Sequence, residues 1–405
     1  MDFTPSPRVE ELRRRIVEFM ERHVYPAEAA ALEEARLVRA GVPYPPTVVE
    51  MRRRAKAEGL WNLFLPDAEY GAGLANWEYG MLCELMGRSL LAPMAFNCAA
   101  PDTGNVEILA EFGTPEQKKR WLEPLLEGTI RSCFSMTEPE VAGSDPTLLR
   151  TRAVKDGDHW VIDGHKWFTS GAVGASVAIV MAVTDPDAAP HLRASMILVP
   201  TDAPGFNLVR SVPVMGHTEG GGHCEVRYEA CRVPLASTLG PEGAGFVIAQ
   251  ARLGPGRIHH CMRAIGAAER ALELMCRRLQ ARVAFGKPIA EQGVWHERIA
   301  ESRIMIDSAR LMTLNAARVM DVAGNKTARN EIAEIKVLAP NVALKVIDWA
   351  IQAHGGGGIS DDFVLAHMYA WNRSLRFADG PDEVHRNAIA KTELGKYLAA
   401  PKPAG

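Results

Sequence analysis

Apolar residues recur along this chain in two rhythms, helical at its ends and strand-like in its middle. Val9, Leu12, Ile16, Phe19 and His23 stand three and four apart with Arg and Glu between them. That spacing predicts a helix from Arg8 to about Ala40. Pro43, Pro45 and Pro46 interrupt it, and Thr47 to Glu58 reads as a second helix closed by Gly59. Trp77 to Leu90 and Asn105 to Phe112 read as further helices. Thr114 before Pro115 marks a helix start, as N-cap and first-turn proline. The segment to about residue 130 is therefore predicted to be all helical.

The rhythm then changes to short apolar runs. Val177–Val183, Ala194–Val199 and Cys224–Tyr228 are strand-like, punctuated by Pro and Gly. Asp156-Gly157 and Asp163-Gly164 read as hairpin turns bracketing His159–Ile162. From Gly240 the helical period returns. Gly245 to Arg252 leads to Gly254-Pro-Gly256, read as the start of a long helix from Arg257 to Arg282. Others span about Gly293 to Ala323, Arg329 to His354 and Asp382 to Leu398, which argues for a bundle. The expected fold is α+β multidomain. Residues 1–130 form a helical domain, 131–237 a β domain and 238–405 a helix bundle.

Composition narrows the class. The 405 residues exceed one compact core. A net charge of -3 leaves no general electrostatic footprint for nucleic acid or an anionic membrane. The N-terminus has no basic segment leading into an apolar run, and no apolar run is long enough to span a membrane. Seven cysteines without a CxxC fit reduced thiols in a cytoplasmic protein.

Candidate chemistry concentrates at four places. Phe134 to Asp145 carries hydroxyls and glycines, and Lys166 to Gly171 follows it. In a regular strand Trp167 and Thr169 would face one side, suited to a flat ligand with a polar edge. A Pro-turn followed by an ordinary strand fits equally well. Gly355 to Gly358 ends a helix containing Gln352. A C-terminal cap accounts for one glycine, while close approach by a phosphate would use several. Asp379-Gly380-Pro381 precedes the last helix. Asp379 is either a surface capping carboxylate or a general base on a tight turn. Arg282, Phe285 and Lys287 close the first bundle helix, where they complement its dipole or meet a pyrophosphate. Arg257 could contact an anionic ligand. His259, His260, His217, His223 and Cys224 lack metal spacing and read as ordinary residues.

Together these segments resemble the acyl-CoA dehydrogenase family over essentially the whole chain. The match runs through Met136-Thr-Glu-Pro139, Gly143-Ser-Asp145, Trp167-Phe-Thr169, Gly243-Ala-Gly245-Phe246, Arg282 with Phe285-Gly-Lys287, Gln352 with Gly355-Gly356, and Asp379-Gly380 followed by Arg386. It looks closest to the subgroup that animals carry fused behind a phosphotransferase-like domain, with that partner domain expected to be absent here. The implied fold is an N-terminal helical domain, a middle β-barrel and a C-terminal four-helix bundle.

The resemblance implies FAD as cofactor. Phe134, Met136, Thr137, Gly143 and Ser144 would line the flavin and the thioester chain, with Trp167 beside the isoalloxazine and Thr169 near N5. Arg282, Phe285, Gln292, Gln352, Gly355, Gly356, Gly357, Gly358, Pro381 and Glu383 stand at cofactor positions. Some of these reach a second subunit's flavin, so a homodimer or homotetramer is implied. Ser144, Arg257, Gly380 and Arg386 would sit near the acyl-CoA substrate. Asp379 would remove the α-proton, while hydride passes from Cβ to flavin N5. The base residue's backbone N–H and a ribityl hydroxyl would steady the enolate, and an electron-transferring flavoprotein would take the electrons. The implied pathway is fatty acid β-oxidation.

The chain departs from the family pattern at Asp379, which replaces Glu, and at Gly254, Gly256, Pro381 and Gln292-Gly293. One extra residue separates Pro139 from Gly143. Asp379 with Arg386 also fits nitroalkane oxidases of this superfamily, so nitroalkane oxidation or another oxidase activity is the alternative. A non-catalytic acyl-CoA scaffold is a third reading.

Overall fold

The computed structural model describes residues 3–34, 44–217 and 222–398. Its contacts divide the chain into two compact units, Met1–Gly256 and Arg257–Gly405.

The first unit opens with the helix Pro7–Phe19, capped by Ser6 and burying Val9, Leu12, Ile16 and Phe19. The expected single helix is broken into pieces. A wider turn, Met20–Val24, and a tight one, Tyr25–Ala27, precede Glu28–Glu34. Pro26 has no N–H to continue the ladder. The predicted stretch beyond Glu34, with Pro43, lies outside the described residues. Helices follow at Pro46–Ala57, Asn76–Gly87 and Asp102–Phe112. Thr114 caps the next turn as predicted, accepting from Gln117 N while the Gln117 side chain accepts from Thr114 N.

A mixed sheet completes this unit. Its strands are β1 (Ser132–Ser135), β2 (Arg152–Asp156), β3 (His159–Ser170), β4 (Val177–Val183), β5 (Ala194–Pro200), β6 (Phe206–Val212), β7 (His223–Pro234) and β8 (Thr238–Leu239). The order is β6-β7-β3-β1-β4-β5-β8, with β2 beside β3 and β4. Trp160, Ile162, Val180, Ile197, Val226 and Tyr228 build the core. β4 and β5 are buried along nearly their whole length, which explains why they read as unbroken apolar runs rather than alternations.

Asp156-Gly157 makes the predicted hairpin, pairing Asp156 with His159. Asp163-Gly164 does not turn; β3 runs straight through it. The register against β7 slips between Ile162 and Gly164, and the Asp163 carboxylate accepts from Ala230 N at 2.8 Å. A side chain at Gly164 would stand 2.3 Å from the Thr151 hydroxyl. The pair therefore marks a bulge, the other use of glycine in a strand.

A single helix, Gly245–Ala281, runs through Gly254-Pro255-Gly256, where the sequence pattern placed a helix start. Pro255 removes one N–H without ending the helix. In the second unit the helices Gly293–Ala323 and Arg329–His354 appear at the predicted bounds. The last is Asp382–Gly395, shorter than expected, and Leu365–Ser374 is a helix the pattern did not reveal.

Candidate active site

Asp379 sits in the left-handed region, φ 57°, followed by Gly380 at φ 103°. Three side chains hold this turn. Arg257 Nε donates to the Asp379 carbonyl at 3.0 Å, and His385 Nε2 lies 3.3 Å from the same oxygen. Lys336, fully buried, donates to the Leu375 carbonyl and reaches the Gly380 carbonyl at 3.4 Å. A side chain at position 380 would stand 2.9 Å from His385 Nε2, so glycine is needed for both reasons. The Asp379 side chain is 15% exposed, recessed rather than in open solvent.

Its carboxylate faces His260, whose Nε2 is 3.6 Å from Oδ2. Arg263 NH2 lies 3.2 Å from His260 Nδ1. A guanidinium only donates, so Nδ1 accepts and the neutral ring carries its proton on Nε2, towards Asp379. Burial pushes His385 down to about 4, helped by the charges of Arg257 and Lys336. Burial also lowers Lys336 and Arg257, against the pull of the Asp379 charge. The arrangement is a recessed carboxylate beside two cations and two imidazoles, with the backbone of its turn held on both sides. No motif in the sequence marks His260, Lys336 or His385 for this position, and the His259-His260 pair has no metal spacing.

Arg386 does not join this group. Its guanidinium lies 3.7 Å from Asp382 and 3.8 Å from Glu383. Asp382 instead anchors the last helix through Arg376 at 2.7 Å and Asn341 at 3.0 Å. Pro381 is the N-cap of that helix, and Glu383 is exposed in its first turn. Gln292 occupies the N-cap position of the Gly293–Ala323 helix, with no capping hydrogen bond from its side chain.

The glycine run is a tight turn, Gly355–Ile359. A Cβ at Gly358 would meet Ile351 O at 2.4 Å, one at Gly357 would meet Phe363 at 2.9 Å, and Gly355 has φ 62°. Packing thus accounts for Gly357 and Gly358, and the positive φ for Gly355. Gly355 and Gly356 have nothing within 4 Å of where a Cβ would stand. Gln352 beside them is exposed, as is Arg282. Phe285 forms the tip of a two-residue hairpin at φ 54° and is 99% exposed.

In the first unit, Lys166 supports the Phe134–Pro139 segment. Its ammonium donates to the Met136 carbonyl at 2.7 Å and to Glu138 at 2.9 Å, with both side chains essentially inaccessible. Burial brings Lys166 down to about 8 against the pull of Glu138. Burial raises Glu138, but the Lys166 charge and hydrogen bonds outweigh it and the carboxyl stays low. Glu138 also accepts from Arg150 N and Thr151 N, and Trp167 N donates to Thr137 O at 3.0 Å. A side chain at Gly143 would stand 3.0 Å from Thr137, and Ser144 is exposed. Phe134 lies under the Arg252 guanidinium at 4.0 Å, and Arg252 donates to Asn105.

Trp167 and Thr169 do not share a face. Phe168 has φ 49° and the register slips between Lys166 and Thr169, so the alternation of a regular strand is lost. Thr169 is fully buried and its hydroxyl lies 3.2 Å from Ser135 Oγ, which accepts from Tyr228. Phe168 is the exposed residue. Among the described residues, no group of three or more His, Cys, Asp or Glu could hold a metal ion.

Family models match three successive stretches: the acyl-CoA dehydrogenase N-terminal domain over residues 6–129, the middle domain over 133–231 and the C-terminal domain over 243–394. The chain belongs to the acyl-CoA dehydrogenase family. Its members are FAD-dependent oxidoreductases acting on acyl-CoA. A Mycobacterium tuberculosis relative described as acyl-CoA dehydrogenase FadE2 is 54% identical, covering 98% of each chain. Acyl-CoA dehydrogenase family member 10 of Mus musculus is 51% identical over 98% of this chain, which spans 38% of that longer relative. A solved Mycobacterium abscessus structure, described as an acyl-CoA dehydrogenase, has a TM-score of 0.94 at 50% identity, covering 98% of this chain and 100% of that one. The expected helical, β and helical order is thus the fold of this family, and the expected subgroup is the right one. No helix among the described residues is long and apolar enough to cross a membrane.

Proposed function

We propose that this protein carries out FAD-dependent α,β-dehydrogenation of acyl-CoA thioesters to 2-enoyl-CoA, with Asp379 as general base. The observation that carries the reading is the recessed Asp379 carboxylate on a left-handed turn gripped by Arg257, His385 and Lys336. A base must be held to a fraction of an ångström to meet one proton. Pinning the backbone on both sides of the carboxylate restricts it in that way.

The residues present fit FAD. The open backbone at Gly355 and Gly356 leaves room for a phosphate, and the exposed Phe168 offers an aromatic face. Phe134, Met136, Thr137, Gly143, Ser144 and Trp167 would hold the ring and its neighbours, and Arg282, Gln292, Gln352, Pro381 and Glu383 the rest. When bound, the flavin supplies the hydride acceptor. Asp379 takes the α-proton, Arg257 and Lys336 keep the base's own turn from moving, and Arg257, Gly380 and Arg386 would meet the substrate, Arg386 from outside the group that holds Asp379. The fully exposed Phe285 beside Val283, 68% exposed, suits contact with a second copy, so a homodimer or homotetramer is proposed. An electron-transferring flavoprotein is the proposed electron acceptor, fatty acid β-oxidation the setting and the cytoplasm the compartment. All seven cysteines are free thiols, which agrees with a reducing compartment. We also propose domain limits of 1–130, 131–237 and 238–405.

The test is anaerobic bleaching of the bound flavin by acyl-CoAs of graded chain length, with nitroethane in parallel. Rapid bleaching by an acyl-CoA supports the reading. Bleaching by nitroethane alone would replace it with the nitroalkane oxidase alternative.

A further inference from the structure

We propose that His165, held as an imidazolium between Glu140 and Glu225, positions the loop that carries Gly143 and Ser144 for the substrate. This rests on the reading that the loop lies beside the flavin and the thioester chain.

The two ends of the loop are fixed by their own neighbours. Glu138 is tied to Lys166 at 2.9 Å. Asp145 N donates to the Ala142 carbonyl at 3.0 Å, and its carboxylate accepts from the Thr147 hydroxyl at 2.6 Å. The stretch between is longer by one residue than the family pattern, so ordering it removes more conformational freedom. Glu140 ties this stretch to the sheet. Its Oε1 lies 2.5 Å from His165 Nδ1, and the other ring nitrogen, Nε2, lies 3.0 Å from Glu225 Oε1. Glu225 in turn accepts from Arg210 Nε at 2.8 Å. A chain of alternating charge thus runs from the loop through β3 and β7 to β6.

The partners decide the protonation of the ring. A carboxylate only accepts, and a neutral imidazole has a single N–H. With a carboxylate oxygen at each nitrogen, both bonds form only when both nitrogens carry hydrogen. Hydrogen bonds from His165 and Arg210 hold the Glu225 carboxyl below its ordinary range. Arg227, opposite His165 in the ladder, adds a positive charge on this face. On β3 itself, Lys166 is turned inward to Glu138, and Asp163 accepts from Ala230 N. Loss of one ring proton breaks one of the two bonds. The Glu140 side chain is 43% exposed and that of Glu225 15%, so water replaces the bond to Glu140 more readily. Deprotonation of the ring therefore releases the loop.

The experiment uses the full-length, FAD-loaded protein with Glu140→Ala, His165→Leu and His165→Lys, and butyryl-CoA and octanoyl-CoA as probes. The half-saturating acyl-CoA concentration and the limiting rate are read from flavin bleaching. Hydrogen exchange of residues 139–146 is read separately by mass spectrometry at one pH. Glu140→Ala and His165→Leu should raise the half-saturating concentration about tenfold, the worth of one charge-assisted hydrogen bond. Both should leave the limiting rate nearly unchanged and speed exchange in the loop. His165→Lys keeps a charged donor and should match wild type in all three. In the wild type the half-saturating concentration should climb as pH rises from about 6 to about 9. It should stay flat and low in His165→Lys, and flat and high in His165→Leu. Unchanged exchange and half-saturation in Glu140→Ala would overturn the clamp. The wild-type pH dependence persisting in His165→Lys would overturn the role of the imidazolium. If neither acyl-CoA bleaches the wild-type flavin while the loop exchanges as expected, the clamp stands and the substrate reading falls.

Discussion

Replacing Asp379 separates the chemistry of the side chain from the geometry of its backbone. Asparagine, alanine and glycine all remove the same negative charge beside His260, Arg257 and Lys336. Each should slow flavin bleaching by saturating acyl-CoA about 10²–10⁴-fold, the usual worth of a positioned base. Their stabilities should differ, because the residue sits at φ 57°. Asparagine tolerates this region, whereas alanine incurs roughly 1–2 kcal/mol there. Glycine relieves the strain, but its extra freedom in the unfolded chain costs roughly 0.5–1 kcal/mol. For a unit of this size, about 2–4 °C of melting temperature accompanies each kcal/mol. Asp379→Ala should therefore melt roughly 2–8 °C below Asp379→Asn, with Asp379→Gly near Asp379→Asn. The assay is thermal unfolding at matched FAD concentration, paired with stopped-flow bleaching. Wild-type bleaching in Asp379→Asn would remove the base. Equal melting of the alanine and asparagine variants would show that the left-handed turn is not a constraint.

Three further outcomes follow from the same structure. His385 is held at about 4, below an unfolded value of about 6.5, so the unfolded chain binds more protons between those two pH values. Stability should fall as pH drops from about 6.5 to about 4, by up to about 3 kcal/mol from this residue, and His385→Gln should flatten that slope in urea titrations. Lys166→Met leaves the Glu138 carboxylate buried without its cation and should destabilise by about 3–5 kcal/mol, with Lys166→Met/Glu138→Gln recovering part of the loss in a double-mutant cycle. Gly358→Ala forces a Cβ to 2.4 Å from Ile351 O and should lower stability by about 1–3 kcal/mol. Gly356→Ala, in open space, should leave stability nearly unchanged and weaken FAD retention, which calorimetry and flavin content will distinguish.

What the sequence disclosed was local. The Thr114 capping box, the Asp156-Gly157 hairpin and the helices Gly293–Ala323 and Arg329–His354 each depend on residues within a few positions of one another. Their signals survive without tertiary context. The errors have the opposite character. Asp163-Gly164 carries the same dipeptide as a hairpin turn, yet Thr151 and Ala230 make it a bulge, and neither is a sequence neighbour. Gly254-Pro-Gly256 has the composition of a helix start and is helical throughout. There tertiary packing outweighs a propensity deficit of a few kcal/mol.

The candidate site divides in the same way. Asp379 and Gly380 announce themselves as a turn before a helix, so the carboxylate proposed as the base is legible in the sequence. The groups that give it a fixed position are not. Lys336 lies on the helix Arg329–His354, Arg257 and His260 on Gly245–Ala281, and His385 one turn into the last helix. Only the fold brings four such separated residues to one turn, and no spacing rule encodes that. Thr169 shows the same limit at shorter range. Two residues apart in a strand means the same face only while the ladder is regular, and a single positive φ at Phe168 reverses the assignment. The side chain that meets a ligand on an irregular strand is therefore decided by where the bulge falls. Here Phe168 is exposed and Ser170 half-buried beside His223, a contact between strands that no local spacing encodes.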